Sequence, residues 1–167
     1  MQQAITATSA TSPEIIQAAT RWIAGSQVTE TLEANGGVCD SEGTAISLTF
    51  QIESTIRHLR ANGVLVHSRA DVNDYLLRFP DILAALPIVC DLCLTEGDPW
   101  EEVVLDIYRD REFLDEYVTL CLRRTKYGSR TIDDIDAIRA RFETLLYGKT
   151  GWLLVTTDFR PPAGINE

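Results

Sequence analysis

The chain has 167 residues, of which 45% are apolar and 24% are charged, and its formal net charge at pH 7 is −10. A domain of this size and composition buries enough apolar surface to fold without a metal ion or a disulfide. The excess of acids disfavours nucleic acid as a partner, because the phosphate backbone attracts Lys and Arg. No run approaches the ~20 apolar residues of a membrane span, so no membrane contact is predicted.

The N-terminal part of the chain predicts helices. Residues 1–11 lack the charged start and apolar middle of a signal peptide, and we interpret them as the disordered tail of a cytoplasmic protein. Ser12 and Pro13 begin a predicted helix whose apolar stripe includes Trp22. Residues 12–98 as a whole are predicted to be a helical region.

Residues 44–62 carry two periodicities. Apolar residues alternate over 46–52 as in a strand, whereas Ile52, Ile56 and Leu59 follow the spacing of a helix. We favour one helix over residues 44–62, and the strand alternative stays open for residues 44–52. The apolar run over 64–66 is either a short strand or an extended connector.

Two further helices are predicted before residue 98. Asp71 begins the first, and Pro80 ends it because the residue before a proline avoids the helical conformation. Asp81 is expected to cap the second helix. Pro87 lies inside that helix and predicts a bend or a break, because proline cannot donate the helical hydrogen bond.

Residues 99–160 predict a sheet unit in the order strand, strand, helix, strand. Apolar residues alternate over 103–108 and 118–122, return to helical spacing over 131–147, and become β-type over 152–157. The crossover helix makes the second and third strands parallel, and we place the first strand between them, in the spatial order 2-1-3.

The predicted fold class is therefore α+β, with N-terminal helices followed by a three-stranded ββαβ unit. We expect the helical region and the sheet unit to form one compact domain, followed by a tail over residues 161–167. The crossover helix is expected to cover one face of the sheet and the earlier helices the other, since the strands have apolar residues on both sides.

Cys90 and Cys93 form a C-x-x-C motif, a spacing found in zinc sites and redox centres. The sequence has no second such pair, and His58 and His67 stand apart from it. Because the motif lies in an apolar run, we interpret both cysteines as packing residues, with a further role left open. No metal and no cofactor are predicted, and no nucleophile or phosphate-loop motif indicates a catalytic residue.

Acidic residues cluster at two places. One group lies at the start of the predicted helix over 131–147, and the other flanks the predicted hairpin; together they are Asp133, Asp134, Asp136, Asp106, Asp110, Asp115 and Glu116. Carboxylates are ligands for magnesium and act as acids and bases, but they also stabilise helix starts and solvated sheet edges. We favour the structural interpretation.

The basic residues between positions 123 and 141 form the densest positive cluster in the sequence. Its members are Arg123, Arg124, Lys126, Arg130, Arg139 and Arg141. They are the predicted binding patch, for a phosphate group, an acidic partner or RNA. The interpretation that we favour for most of these residues is that they pair with the excess acids as a solvated face.

Trp100 and Trp152 each precede a predicted strand. We expect both to be interior aromatic residues that pack on each other.

Residues 72–159 resemble a family of small bacterial proteins to which no function is assigned. The matching pieces are the segment Asp74-Tyr75-Leu76-Leu77-Arg78-Phe79-Pro80-Asp81-Ile82-Leu83, the strand and charged turn over 103–111, the second strand, and a helix with Arg141-Phe142 before Gly151-Trp152. The resemblance implies an α+β fold. It implies no activity, cofactor or site residue.

Three functions are compatible with these patterns. The leading hypothesis is a small cytoplasmic regulatory module without catalytic activity, which binds another protein through an open sheet edge; open edges are also compatible with a homodimer. The second is a nucleic-acid regulator with a helix-turn-helix-like unit over 12–62, which requires a positive face containing Arg57, His58 and Arg60. The third is a metal-dependent hydrolase, which requires at least three converging carboxylates.

Overall fold

The structure is a computed structural model that describes residues 41–110, 112 and 115–163. Within these residues the chain forms four α-helices and one four-stranded mixed sheet, which confirms the α+β fold class. The predicted helix at Ser12, Trp22, the tail over 1–11 and most of the tail over 161–167 lie outside the described residues. No helix in the described ranges is both long and apolar enough to cross a membrane.

Helix α1 spans Ser41–Ala61, so the helical interpretation of residues 44–62 is confirmed. Ile52, Ile56 and Leu59 are buried along one stripe, whereas Phe50, which fitted only the strand pattern, is 69% exposed. The helix stops at Asn62 and Gly63, and the glycine takes the left-handed φ of +91° that suits it to a helix end.

The next elements are strand β1 (Val64–Val66), helix α2 (Arg69–Arg78) and helix α3 (Ala85–Thr95), with a 3₁₀ turn over Pro80–Ile82. The break predicted from Pro87 falls before the proline, which lies in the first turn of α3, where its missing N–H costs no hydrogen bond. The expected capping role of Asp81 is wrong. Its carboxylate instead accepts hydrogen bonds from the Thr150 hydroxyl and backbone N–H and from the Gly151 N–H.

The second half contains strands β2 (Glu102–Arg109) and β3 (Glu116–Arg123), helix α4 (Thr131–Phe142) with a 3₁₀ turn over Glu143–Leu146, and strand β4 (Leu153–Thr156). The spatial order is β1-β2-β3-β4, with parallel, antiparallel and parallel pairings in turn. The three-stranded unit and the order 2-1-3 are therefore wrong, although the second and third strands of that unit are parallel as expected.

The error has a topological cause. A strand has two edges, and β2 uses one for β3 and the other for β1, through the register Val64 to Val103. No position beside β2 remains for β4, which pairs with the free side of β3. The prediction treated the run over 64–66 as a possible connector, and so left an edge of β2 open.

One core holds the described elements together. Buried side chains from all four helices pack with alternate strand residues such as Leu105, Leu120 and Val155. Helices α1, α2 and α3 therefore pack against the same face of the sheet as α4. The expectation that the earlier helices cover the opposite face is wrong for these three. That face carries a mixture of polar and apolar strand side chains, such as Asp106, Thr119 and Val104, with Leu65 half exposed.

Candidate functional sites

Arg123, the first member of the predicted basic patch, joins three segments of the chain. Its guanidinium donates to Glu102 on β2 at 2.8 Å and to Asp158, just after β4, at 2.7 Å. Glu102 also accepts the Ala163 N–H at 2.7 Å. The hydrogen bonds that Arg123 donates to Asp158 and Glu102 raise the pKa of its guanidinium. Arg123 thus links β3 to β2 and to the segment after β4, and its guanidinium is paired with two carboxylates.

Arg124 lies almost entirely inside the protein. Its guanidinium stacks on the ring of Trp100 at 3.6 Å from the centroid, and its Nη2 atom is 3.6 Å from Asp134. The Nε and Nη2 atoms are buried without a hydrogen-bond partner among the described residues. Stacking on tryptophan stabilises such a cation.

The other predicted patch residues separate into two places. Lys126 and Arg130 border, with Arg124, a hollow of about 320 Å³ at the start of α4, where Asp98 lies 3.8 Å from Arg130. Further along α4, Arg139 pairs with Asp136 at 3.3 Å and Arg141 pairs with Glu96. Three of the six residues therefore share one hollow, and each of the five arginines has a carboxylate neighbour.

Cys90 and Cys93 are free thiols buried in the core, where α3 packs. Burial raises the pKa of Cys90 well above its usual value, and raises the pKa of Cys93 to about 12. Burial thus disfavours the thiolate, which is the nucleophilic form of cysteine. The buried positions of Cys90 and Cys93 agree with the packing role that the apolar run around them predicts.

The acidic clusters do not converge. Within the residues that the structure describes, no group of three or more His, Cys, Asp or Glu side chains is placed to hold a metal ion. Asp106 instead lies 2.9 Å from the ring of His67, and Glu116 accepts from Arg78 and Arg109 at 2.5 and 2.8 Å. The hydrolase hypothesis finds no site in this part of the chain.

The expectation that Trp100 and Trp152 pack together is wrong. Trp100 precedes β2 and is buried beside the end of β3, because Glu102 pairs with Arg123. Trp152 precedes β4, whose first residue pairs with Val118 near the start of β3, and its side chain is 60% exposed. Antiparallel pairing of β2 and β3 places the two tryptophans at opposite ends of the sheet.

The backbone of Trp152 is held firmly although its side chain is exposed. Its N–H donates to the Tyr75 hydroxyl at 2.8 Å, and its carbonyl accepts from that hydroxyl at 3.2 Å and from the Val118 N–H at 3.0 Å. The preceding Gly151 lies so close to Phe79 and Ile82 that a Cβ would come within 2.9 Å of both. An exposed aromatic residue is therefore presented from a fixed position.

A groove of about 380 Å³ lies beside Trp152, between α4 with its 3₁₀ turn and the outer edge of β4. We call it the aromatic groove. It is lined by Asp136, Arg139, Ala140, Phe142, Glu143, Leu146, Tyr147, Trp152, Leu153 and Leu154. Tyr147 is 74% exposed at its rim. Sequence reasoning missed this groove because the pattern of residues 147–152 does not distinguish an interior aromatic residue from an exposed one.

Arginines also converge between α1 and α2. Arg57, Arg60, Ala61 and Arg69 line a hollow of about 460 Å³, which we call the basic hollow. Arg57, His58 and Arg60 are exposed, as the nucleic-acid hypothesis requires. Most of the helix-turn-helix-like unit over 12–62 lies outside the described residues, and in the described part α1 is followed by a strand.

Comparisons with known proteins were made with family models, with curated proteins and with solved structures. None of the three gives a match to this chain, so its surfaces are the basis for assigning a function.

Proposed function

We propose that the protein is a regulatory module without catalytic activity that binds an extended segment of another protein along the outer edge of β4. The observation that carries this proposal is the coincidence of an unpaired strand edge with the aromatic groove. An extended segment adding to such an edge gains main-chain hydrogen bonds, and pockets beside the edge select its side chains.

The free edge is defined by the pairing of β4. In a parallel pair, alternate residues direct both backbone groups to the same neighbour, and the carbonyl of Trp152 already accepts from β3. The N–H and C=O groups of Leu153 and Val155 therefore point away from β3. Within the described residues β4 has β3 as its single strand neighbour. Leu153 and Val155 are only 2% and 1% exposed, so a partner segment pairs with these groups after the cover of this edge opens.

The aromatic groove supplies the side-chain contacts. Trp152 and Tyr147 expose large, rigid surfaces at its rim, and its lining is apolar at Ala140 and Leu146. Tryptophan and tyrosine are the residue types that contribute most at protein interfaces, because they bury a large area with few rotatable bonds. Trp152 also has a fixed backbone, so little conformational entropy is lost when it is covered.

Charge narrows the class of partner. The whole chain is at −10, and the groove rim contributes Asp136, Glu143 and Arg139. Attraction between opposite charges speeds the encounter and selects the partner. We therefore propose a partner segment that is extended, contains at least one apolar side chain for the groove, and carries a net positive charge.

The cytoplasm is the compartment that we propose for this activity. Cys90, Cys93 and Cys121 are free thiols. Free thiols are typical of a reducing compartment.

The test begins with selection from a random peptide library displayed on phage, with the intact protein as bait. Enriched peptides are then titrated by calorimetry against the wild type and the variants Trp152→Ala and Tyr147→Ala. We expect Trp152→Ala to weaken binding by about thirtyfold, the usual loss at an interface hot spot. Phe50→Ala is the matched control, since Phe50 is an equally exposed aromatic residue on α1; its affinity should equal that of the wild type.

Hydrogen exchange distinguishes edge pairing from simple contact with the groove. On peptide binding, the Leu153 and Val155 amides should exchange more slowly, whereas the Leu154 amide, already directed at β3, should change little. Failure to enrich any peptide, equal binding by all variants, or unchanged exchange at Leu153 and Val155 would contradict the proposal.

A further inference from the structure

The basic hollow between α1 and α2 differs from every other arginine-containing surface of the described chain. Of the four described residues that line it, three are arginines, and they come from two elements: Arg57 and Arg60 from α1, and Arg69 from α2. Arginine side chains repel one another, so their convergence around one hollow has an electrostatic cost unless an anion enters it.

Arg57 and Arg60 have no carboxylate within 4.0 Å among the described residues, whereas each of the other described arginines has one. In a chain with 25 acids and 15 basic residues this is unexpected. Within the part of the chain that the structure describes, Arg57 and Arg60 thus have no ion pair although acids are in excess.

A neighbouring acid on α1 is already engaged. Glu53, one turn before Arg57 on α1, accepts from the side-chain amide of Asn73 at 2.9 Å through one oxygen and from Arg69 through the other. The hydrogen bonds from Asn73 and Arg69 lower the pKa of Glu53, so it stays ionised. It neutralises one of the three arginines and leaves two positive charges in the hollow.

The start of α2 adds to the positive potential. Arg69 is the first residue of this ten-residue helix, and the first turn of a helix has N–H groups without helical partners and a partial positive charge. The preceding Ser68 does not cap these groups, because its hydroxyl is directed to Asp71. Arg69, which begins this helix, lines the hollow, and Asp71 in the same turn is paired with Arg109.

We propose that the basic hollow binds a phosphate group of a small ligand, either inorganic phosphate or the phosphate of a phosphorylated metabolite. Guanidinium groups bind phosphate oxygens through paired hydrogen bonds. Among the described residues no aromatic side chain lines the hollow, so this part of the chain offers groups for a phosphate and no stacking surface for a nucleobase. The charge of the protein favours a small ligand. A long polyanion extends over the acidic surface outside the hollow and is repelled there, whereas a single phosphate stays in the hollow, where acids farther away than a Debye length are screened.

The test is calorimetric titration of the intact protein with inorganic phosphate and with pyrophosphate, in a buffer free of other oxyanions. Arg57→Gln and Arg60→Gln should each weaken binding by about tenfold or more, as expected for one charge-assisted hydrogen bond, and the double variant should not bind. Arg139→Gln, a similarly exposed arginine on α4, is the control and should bind as the wild type does.

Three results would overturn the proposal. The first is no binding of either anion at millimolar concentration, and the second is equal binding by wild type and the double variant. The third is binding that is lost in Arg130→Gln, which would move the site to the hollow at the start of α4. An oligonucleotide that binds more tightly than pyrophosphate, and loses binding in the same Arg57 and Arg60 variants, would replace the small ligand with nucleic acid.

Discussion

Two groups of arginines in this protein look alike in sequence and differ in structure. The group between residues 123 and 141 is the denser one, yet each of its arginines lies near a carboxylate from another residue of the fold. The pair Arg57 and Arg60 on α1 is sparser and has no such neighbour among the described residues. The positions of the carboxylates, more than the density of the cations, determine which group is free to bind a ligand.

The difference extends to burial. Arg123 joins Glu102 to Asp158, and Arg124 is covered by Trp100. Arg123 connects β2, β3 and the segment after β4, and Arg124 lies between Trp100 and Asp134 of α4, so both side chains are part of the packed fold. The arginines of the basic hollow contribute to a surface. The two groups therefore have separate measurable effects, the first on stability and the second on binding.

The largest expected effect is on stability. Arg123→Ala leaves Glu102, whose side chain is only 6% exposed, without its cationic partner. Breaking such a pair leaves an uncompensated charge, and we expect a loss of about 2–4 kcal/mol in the free energy of unfolding, measured with urea. Arg57→Ala is the control and should not shift the midpoint. Equal stability of the two variants would contradict the distinction between the groups.

The helices were the most predictable part of the fold because their signals are local. The stripe of Ile52, Ile56 and Leu59 identifies the buried face of α1, and Gly63 marks its end. Strand order depends on pairings distant in sequence, such as Val64 with Val103. A three-residue strand is too short for its period to be distinguished from a connector, and missing it changed the predicted order of the sheet.

The candidate sites were less predictable for the same reason. Arg123 and Asp158 are 35 residues apart, and the sequence contains no signal that pairs them. Trp100 and Trp152 occupy the same position relative to a strand, yet one is buried and the other exposed, because they lie at opposite ends of β3. Whether an arginine is paired with a carboxylate, and whether a tryptophan is exposed, is decided only when the sheet has assembled.

Acid denaturation provides a second comparison. Burial opposes ionisation of Asp158, but hydrogen bonds from Arg123 and from the Arg160 N–H outweigh it and lower the pKa of Asp158. A carboxyl whose pKa is lower in the folded state stabilises the fold above its unfolded pKa of about 4, and this contribution is lost as the pH falls through the folded value. The stability difference between wild type and Arg123→Ala should therefore narrow below about pH 4.

The measurement is urea unfolding of both proteins at a series of acidic pH values. The variant Arg57→Ala should follow the wild-type curve throughout, because it does not contact Asp158. A constant difference between wild type and Arg123→Ala across the acid range would show that the Asp158 pair does not contribute to the pH dependence.

The smallest effect tests the comparison directly, by removing carboxylates from the denser group. The double variant Asp98→Asn with Asp134→Asn leaves Arg124, Lys126 and Arg130 around their hollow without the two neighbouring acids. If the carboxylates decide which cations bind, this variant should gain a weak site for inorganic phosphate, seen as shifts of the Ser129 and Thr131 amide resonances.

The control variant is Asp136→Asn. It frees Arg139 alone, away from this hollow, and should gain no phosphate site. Phosphate binding at Ser129 and Thr131 in the wild type would contradict this explanation, because it would mean that the predicted patch binds anions although its carboxylates are in place.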